Sequence, residues 1–138
     1  MSPRVLVVED HQMFRELVIE LMQEQGFGVV VADSAEAGLT LAATERPVLI
    51  LMDIQLPRMS GCEAIRRLKA DPATAAIPVL ALTGSGMESD ERMAREAGAD
   101  SFLPKPMEIA VFRETVGRLL RSSTQGQRSA SDQSGESL

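Results

Sequence analysis

Cysteine occurs once, at Cys62, so the chain can form no internal disulfide and no thiolate zinc framework. A reducing, cytoplasmic setting is the expectation. His11 is the single histidine, which leaves no His/Cys set for a soft metal. Long apolar runs are missing too. The longest, Val5–Val8 and Val48–Met52, fall far short of the ~20 residues of a membrane-spanning helix. The run after Arg4 is too short for a signal-peptide core and ends in the acidic pair Glu9 and Asp10. Positive charge is scarce: 14 Lys and Arg stand against 20 Asp and Glu, a formal net charge of -6. That balance argues against nonspecific binding to nucleic acid or to an anionic membrane.

What remains is an ordinary globular mixture. Its 138 residues, 44% hydrophobic and 25% charged, suit one domain that fills its own core. Composition changes at Arg121, after which Ser, Gln and Gly dominate and apolar residues nearly vanish. Such a segment buries too little surface to offset its ordering entropy, so residues 121–138 are expected as a disordered tail and 1–120 as the domain.

Within the domain, short apolar runs alternate with helical periodicity. Val5–Val8, Val29–Val31, Val48–Met52, Val79–Leu82 and Ser101–Leu103 read as strands. The third is apolar at every position, as befits a strand covered on both faces. Phe14, Leu17, Val18, Leu21 and Met22 mark an amphipathic helix stopped by Gly26. A small-faced helix follows through Ala35, Leu39, Ala42 and Ala43. Ser60 with Glu63, and Ser85 with Glu88, fit capping boxes that open two more helices. The second of these runs to Gly98 with little apolar grip beyond Met93, Ala94 and Ala97, and Ile109, Phe112, Val116, Leu119 and Leu120 stripe a fifth helix. Alternation of this kind implies right-handed crossovers, an α/β doubly wound five-stranded parallel sheet, and function beyond the carboxyl ends of its strands.

The residues immediately beyond those ends are chemically selective. Glu9 and Asp10 follow the first strand, Asp53 the third, Thr83 the fourth, and Lys105 comes two residues after the fifth. Taken singly, Asp10 fits an N-cap, Glu9 a solvated loop residue, and Lys105 a surface lysine. Jointly they bring three carboxylates to one rim, where each disfavours ionisation of the others. Lys105 and one small divalent cation would balance their charge of about -3, and hard oxygen ligands point to magnesium.

The segments Val7-Val8-Glu9-Asp10, Leu51-Met52-Asp53-Ile54-Gln55-Leu56-Pro57-Arg58-Met59-Ser60-Gly61, Leu82-Thr83-Gly84 and Phe102-Leu103-Pro104-Lys105-Pro106 resemble the receiver domain of two-component response regulators. The resemblance covers residues 4–120 and implies a flavodoxin-like fold with strand order 2-1-3-4-5. It makes Asp53 the phosphoacceptor for a phosphohistidine on a sensor histidine kinase or phosphotransfer protein. Magnesium would be held by Asp10, Asp53 and the main-chain carbonyl of Gln55, with Glu9 acting through a water. Lys105 and Thr83 would meet phosphoryl oxygens, with backbone N–H groups at Ile54 and Gly84 completing the cradle. Thr83 and Phe102 would form the switch that alters the face of the fourth helix, fifth strand and fifth helix for a downstream protein. Pro57 and Gly61 are expected to shape the loop after Asp53, and Pro106 offers a cis peptide. Gln55 and Ser85 occupy positions that tune hydrolysis in the family.

The expected role is a stand-alone receiver, a phosphoacceptor that assists its own phosphorylation and dephosphorylation but is no enzyme on other substrates. A receiver detached from a hybrid sensor kinase, and a degenerate receiver that binds partners without phosphate, are the alternatives within the family. A magnesium phosphohydrolase usually has a second acid two residues after its nucleophile, where Gln55 stands here. A flavin carrier is disfavoured because Glu9 and Asp10 replace a phosphate cradle after the first strand.

Overall fold

The structure, a computed structural model, describes residues 3–84 and 88–136, with side chains as far as Ser122. Five strands, β1 (Arg4–Val8), β2 (Gly28–Ala32), β3 (Leu49–Asp53), β4 (Val79–Thr83) and β5 (Ser101–Pro104), alternate with five helices. These are α1 (Gln12–Glu24), α2 (Ala35–Glu45), α3 (Gly61–Ala70), α4 (Glu88–Ala97) and α5 (Ile109–Glu136). The strands are all parallel, in the order β2-β1-β3-β4-β5. This is the doubly wound parallel sheet expected from the alternation, in the flavodoxin-like strand order that the resemblance implied.

Strand periodicity divides the core. Val5, Val7, Leu49, Leu51, Leu80, Leu82 and Leu103 pack with Val18, Leu21 and Met22 of α1 and with Phe112 and Val116 of α5. Leu6, Val8, Ile50, Met52, Val79 and Ala81 face the other way, toward Ala35 and Ala42, Ile65 and Leu68, and Ala94 and Ala97. Alternate residues are thus buried on opposite faces, which is why the β3 sequence shows no polar alternation. The small face of α2 follows from close packing on β1: a Cβ at Gly38 would lie 2.8 Å from Val8 Cγ2.

Helix ends follow local chemistry. Ser34 and Ser60 are N-caps whose hydroxyl oxygens accept from the N–H groups of Ala37 and Glu63, at 3.1 and 3.2 Å. Glu63 does not return the bond as a capping box would; it pairs with Arg66 and Arg67 along the helix. Gly26 and Gly98 take φ of +90 and +108 just past α1 and α4, the left-handed stops expected of them. The capping box expected at Ser85 lies outside the described residues.

Two elements depart from the sequence reading. Met93 does not grip the core: it is exposed, and α4 buries only Ala94 and Ala97. The backbone of α5 continues as helix to Glu136, through the segment marked out as a tail. Propagating an existing helix costs far less than nucleating one. Among the described residues no helix is long and apolar enough to cross a membrane.

Candidate functional site

Strand parity assembles the site. Glu9 continues the Val5–Val7 face of β1, and its N–H still donates to Ala32 O at 3.0 Å. Asp53 continues the Leu49–Leu51 face of β3. Lys105 follows Leu103 on the same side, its N–H bonded to Thr83 O at 2.9 Å. All three therefore emerge under α1. Thr83 has the opposite parity, in line with Val79 and Ala81, and shares that face with Phe102.

The carboxylates meet as expected. One oxygen each from Glu9, Asp10 and Asp53 lies within 4.8 Å of the others. Glu9 is fully buried, Asp53 nearly so, and Asp10 exposed. Glu9 is therefore no solvated loop residue: Oε2 accepts from His11 N–H at 3.0 Å and Oε1 from Lys105 Nζ at 2.9 Å. Lys105 Nζ also lies 3.1 Å from Asp53 Oδ2, while Asp53 Oδ1 accepts from Gln55 N–H at 2.9 Å. Nor is Asp10 the helix cap. That position belongs to His11, whose Nδ1 accepts from Phe14 N–H at 3.4 Å. Asp10 is thereby left beside Asp53 on the wall of a cleft of about 590 Å³ that His11, Phe14, Gln55, Lys105 and Pro106 also line.

Three carboxylates share one ammonium in this cluster. Burial pushes the Asp53 carboxyl up to about 6; the Gln55 N–H opposes that shift and the Glu9 charge adds to it. Burial alone would lower Lys105, but its bonds to Glu9 and Asp53 outweigh burial and hold the ammonium above the ordinary lysine value. Such a group of convergent oxygens, with an ammonium already bridging two of them, fits a small hard cation held by few protein carboxylates.

The remaining expected residues fall into place unevenly. Thr83 is buried and its hydroxyl donates to Leu103 O at 3.3 Å, along β5. The Ile54 N–H donates to Leu82 O at 3.1 Å as the last rung of the ladder. The N–H that reaches the Asp53 carboxylate is that of Gln55, one residue on, where the strand has ended. Gly61 is the first residue of α3, and its N–H donates to Ile54 O at 3.1 Å across the loop after Asp53. A Cβ there would fall 2.1 Å from Asp53 O and 2.5 Å from Ile54 Cα. The left-handed turn in the loop is made by Arg58, at φ 66, directly after Pro57. Gly84 leaves room for other side chains: a Cβ would meet Gln55 Nε2 at 2.9 Å and Asp90 Oδ2 at 3.0 Å. Pro106 follows Lys105 through a cis peptide bond. Phe102 is half-buried, with the Arg95 guanidinium 5.0 Å from its ring centroid.

Phe14 was legible only as part of an apolar stripe. In the structure its ring lies under Lys105, with Nζ 4.9 Å from the centroid. The signal available in the sequence was its place four residues, about one helical turn, after Asp10.

The chain is similar to known proteins over most of its length. A family model described as the response regulator receiver domain matches residues 5–117. The polar-differentiation response regulator DivK of Brucella ovis is 37% identical over 116 residues, 84% of this chain and 94% of that protein. Among solved structures, the signal receiver domain of a signal transduction histidine kinase from Syntrophus aciditrophicus superposes with a TM-score of 0.81 at 30% identity, covering 88% of this chain and 92% of that one. The receiver domain of a sensor histidine kinase from Pseudomonas aeruginosa PAO1, with a magnesium ion coordinated in its active site cleft, gives 0.81 at 25% identity, covering 87% and 98%.

Proposed function

The chain belongs to the response regulator receiver domain family of two-component systems, and on that premise we propose that Asp53 accepts a phosphoryl group from a phosphohistidine. A carboxylate oxygen of Asp53 attacks phosphorus, the P–N bond to the donor imidazole breaks, and an acyl phosphate forms. The observation that carries this reading is the position of Asp53. It is a nearly buried carboxylate at the cleft floor, with one oxygen on Lys105 and the other on a backbone N–H.

Asp10, Asp53 and the main-chain carbonyl of Gln55 would hold magnesium, with Glu9 behind them through a water. The ion, when bound, neutralises charge on the transferring phosphoryl oxygens. Lys105 would exchange Asp53 Oδ2 for a phosphoryl oxygen, and the Gln55 N–H points at the same carboxylate. Thr83 would reach the new group by leaving Leu103 O. That departure would open space on the face it shares with Phe102, and so alter the surface of α4, β5 and α5 presented to a downstream protein.

The donor would be a sensor histidine kinase or a histidine phosphotransfer protein, in the cytoplasm. Gln55 in place of a second acid supports a phosphoacceptor that assists its own turnover over a hydrolase acting on free esters. The stand-alone form is favoured by the Brucella regulator, 94% of which is spanned by the match. A receiver portion of a hybrid kinase is the second reading, supported by the likeness to the Syntrophus kinase receiver.

Incubation with acetyl phosphate and magnesium, followed by intact-mass measurement, tests the proposal. About 80 Da should be added to the protein and not to Asp53→Asn. An unmodified mass, or equal labelling of the variant, would overturn it.

A further inference from the structure

We propose that Phe14 is a positioning residue for Lys105, its ring face holding the ammonium over the carboxylates where a phosphoryl group arrives. The inference rests on the proposed function for its kinetic consequence, though not for its geometry.

A lysine ammonium is a hydrated point charge on a flexible stem, and nothing intrinsic fixes its direction. Here it is fixed on three sides: by Glu9 Oε1 at 2.9 Å, Asp53 Oδ2 at 3.1 Å and the Phe14 ring centroid at 4.9 Å. The Lys105 side chain retains 22% exposure, so water competes for the remaining directions. The negative face of an aromatic ring attracts a cation more strongly as water is excluded.

The ring is itself held. Phe14 is half-buried and packs on the cluster containing Val18, Leu21 and Phe112. Its N–H is bonded to the capping His11. These restraints come from α1 and do not depend on the charge of Asp53.

That independence matters when the acyl phosphate forms. The contact between Lys105 and Asp53 Oδ2 must then give way to a phosphoryl oxygen, and an ammonium anchored only on Glu9 Oε1 would have solvent open to it during the exchange. The ring contact survives the exchange and limits the swing. A leucine would fill much of the same space but present no π face, whereas a tyrosine keeps one.

The test compares initial rates of labelling by acetyl phosphate with magnesium, on the full chain, for the parent, Phe14→Leu and Phe14→Tyr. Phe14→Leu should slow labelling by about fivefold or more, consistent with loss of a partly desolvated cation–π contact. Phe14→Tyr should stay within about twofold. Both comparisons are made at temperatures well below each thermal midpoint, and Phe14→Met replaces Phe14→Leu where the latter fails to fold. Parent-like rates in the aliphatic variant, or a tyrosine variant as slow as it, would overturn the proposal.

NMR supplies a readout that needs no phosphorylation. The Lys105 Hε protons should be shifted upfield by the ring in the parent and Phe14→Tyr, and lose that shift in the aliphatic variant. Failure of the parent to label would sink the function while leaving this shift to decide the positioning. An unchanged Lys105 signal in the aliphatic variant would refute the positioning on its own.

Discussion

The Lys105 ammonium lies 2.9 Å from Glu9 Oε1, joining residues ninety-six positions apart in the chain. Glu9 is completely buried, and removal of its cation would strand its charge in the interior. Lys105→Met keeps most of the stem volume and deletes only the charge. Because Lys105 is about one-fifth exposed, the expected loss is about 2 kcal/mol, below the ~3–5 of a fully buried pair. Urea denaturation at pH 7 with EDTA should show it. Saturating magnesium should then stabilise the variant more than the parent, since a second cation offers what the lysine supplied. Equal magnesium gains in the two proteins would mean that the ion and Lys105 do not share the same oxygens.

The Asp53 carboxyl, pushed up to about 6 chiefly by burial, makes the metal-free fold sensitive to pH. Its folded value exceeds the ordinary 3.8, so between roughly pH 4 and 6 the native state keeps a proton that the unfolded chain has released. The contribution of Asp53 to stability is therefore most favourable below about pH 4 and declines as pH rises through about 6. Asp53→Asn removes this dependence. In EDTA it should exceed the parent at pH 7 by on the order of 2–3 kcal/mol, and the gap should close toward pH 4. Urea midpoints at the two pH values read the difference directly, because the other titrating groups are common to both proteins. A variant no more stable than the parent at pH 7 would show that Asp53 ionises there without penalty.

The pattern of Glu9, Asp53 and Lys105 was legible because strand parity is a property of sequence. Counting by twos from Val5, Leu49 and Leu103 brings each onto the α1 side of the sheet. The same count puts Thr83 on the opposite face with Phe102. What the sequence concealed depends on loop backbone. The site of the last ladder bond decides that Ile54 spends its N–H on Leu82 and leaves that of Gln55 for Asp53. Whether Asp10 or His11 caps α1 depends on one residue of helix phase, and propensity favoured aspartate. The stacking of Phe14 on Lys105 joins the first turn of α1 to the loop after β5, a tertiary contact that the spacing of Phe14 from Asp10 does not by itself fix.

Two glycines on helices should respond oppositely to alanine. At Gly61 the added carbon would sit 2.1 Å from Asp53 O and 2.5 Å from Ile54 Cα, backbone atoms that move only with the whole loop after Asp53. Gly61→Ala should cost about 3 kcal/mol or more and weaken magnesium binding with it. At Gly117, within α5, the nearest atom is the end of the Arg121 side chain at 3.1 Å, which can turn aside. There helix propensity decides, and Gly117→Ala should stabilise by about 1 kcal/mol. Urea midpoints of the two variants, with calorimetric magnesium titration of whichever folds, check both signs.

Arg95 stacks on the Phe102 ring from outside. Its guanidinium lies 5.0 Å from the Phe102 centroid while the ring packs against the core beneath α4. Only Ala94 and Ala97 of that helix are buried, and the stack adds a further tie between α4 and β5. Cation–π contacts at exposed sites contribute about 0.5–1 kcal/mol, enough to change a two-state ratio by about two- to fivefold. With no tryptophan or tyrosine and four phenylalanines in the chain, fluorophenylalanine labelling gives four resonances, and a Phe102→Leu control identifies the relevant one. Beryllium fluoride with magnesium, which mimics the acyl phosphate, should displace that resonance in the parent. Arg95→Ala should shift it part of the way in the same direction with no mimic present, because the ring then loses the contact that favours its resting position. A resonance that stays at the parent position in Arg95→Ala would show that the packing of Phe102 on the core, and not the guanidinium, sets the balance between its orientations.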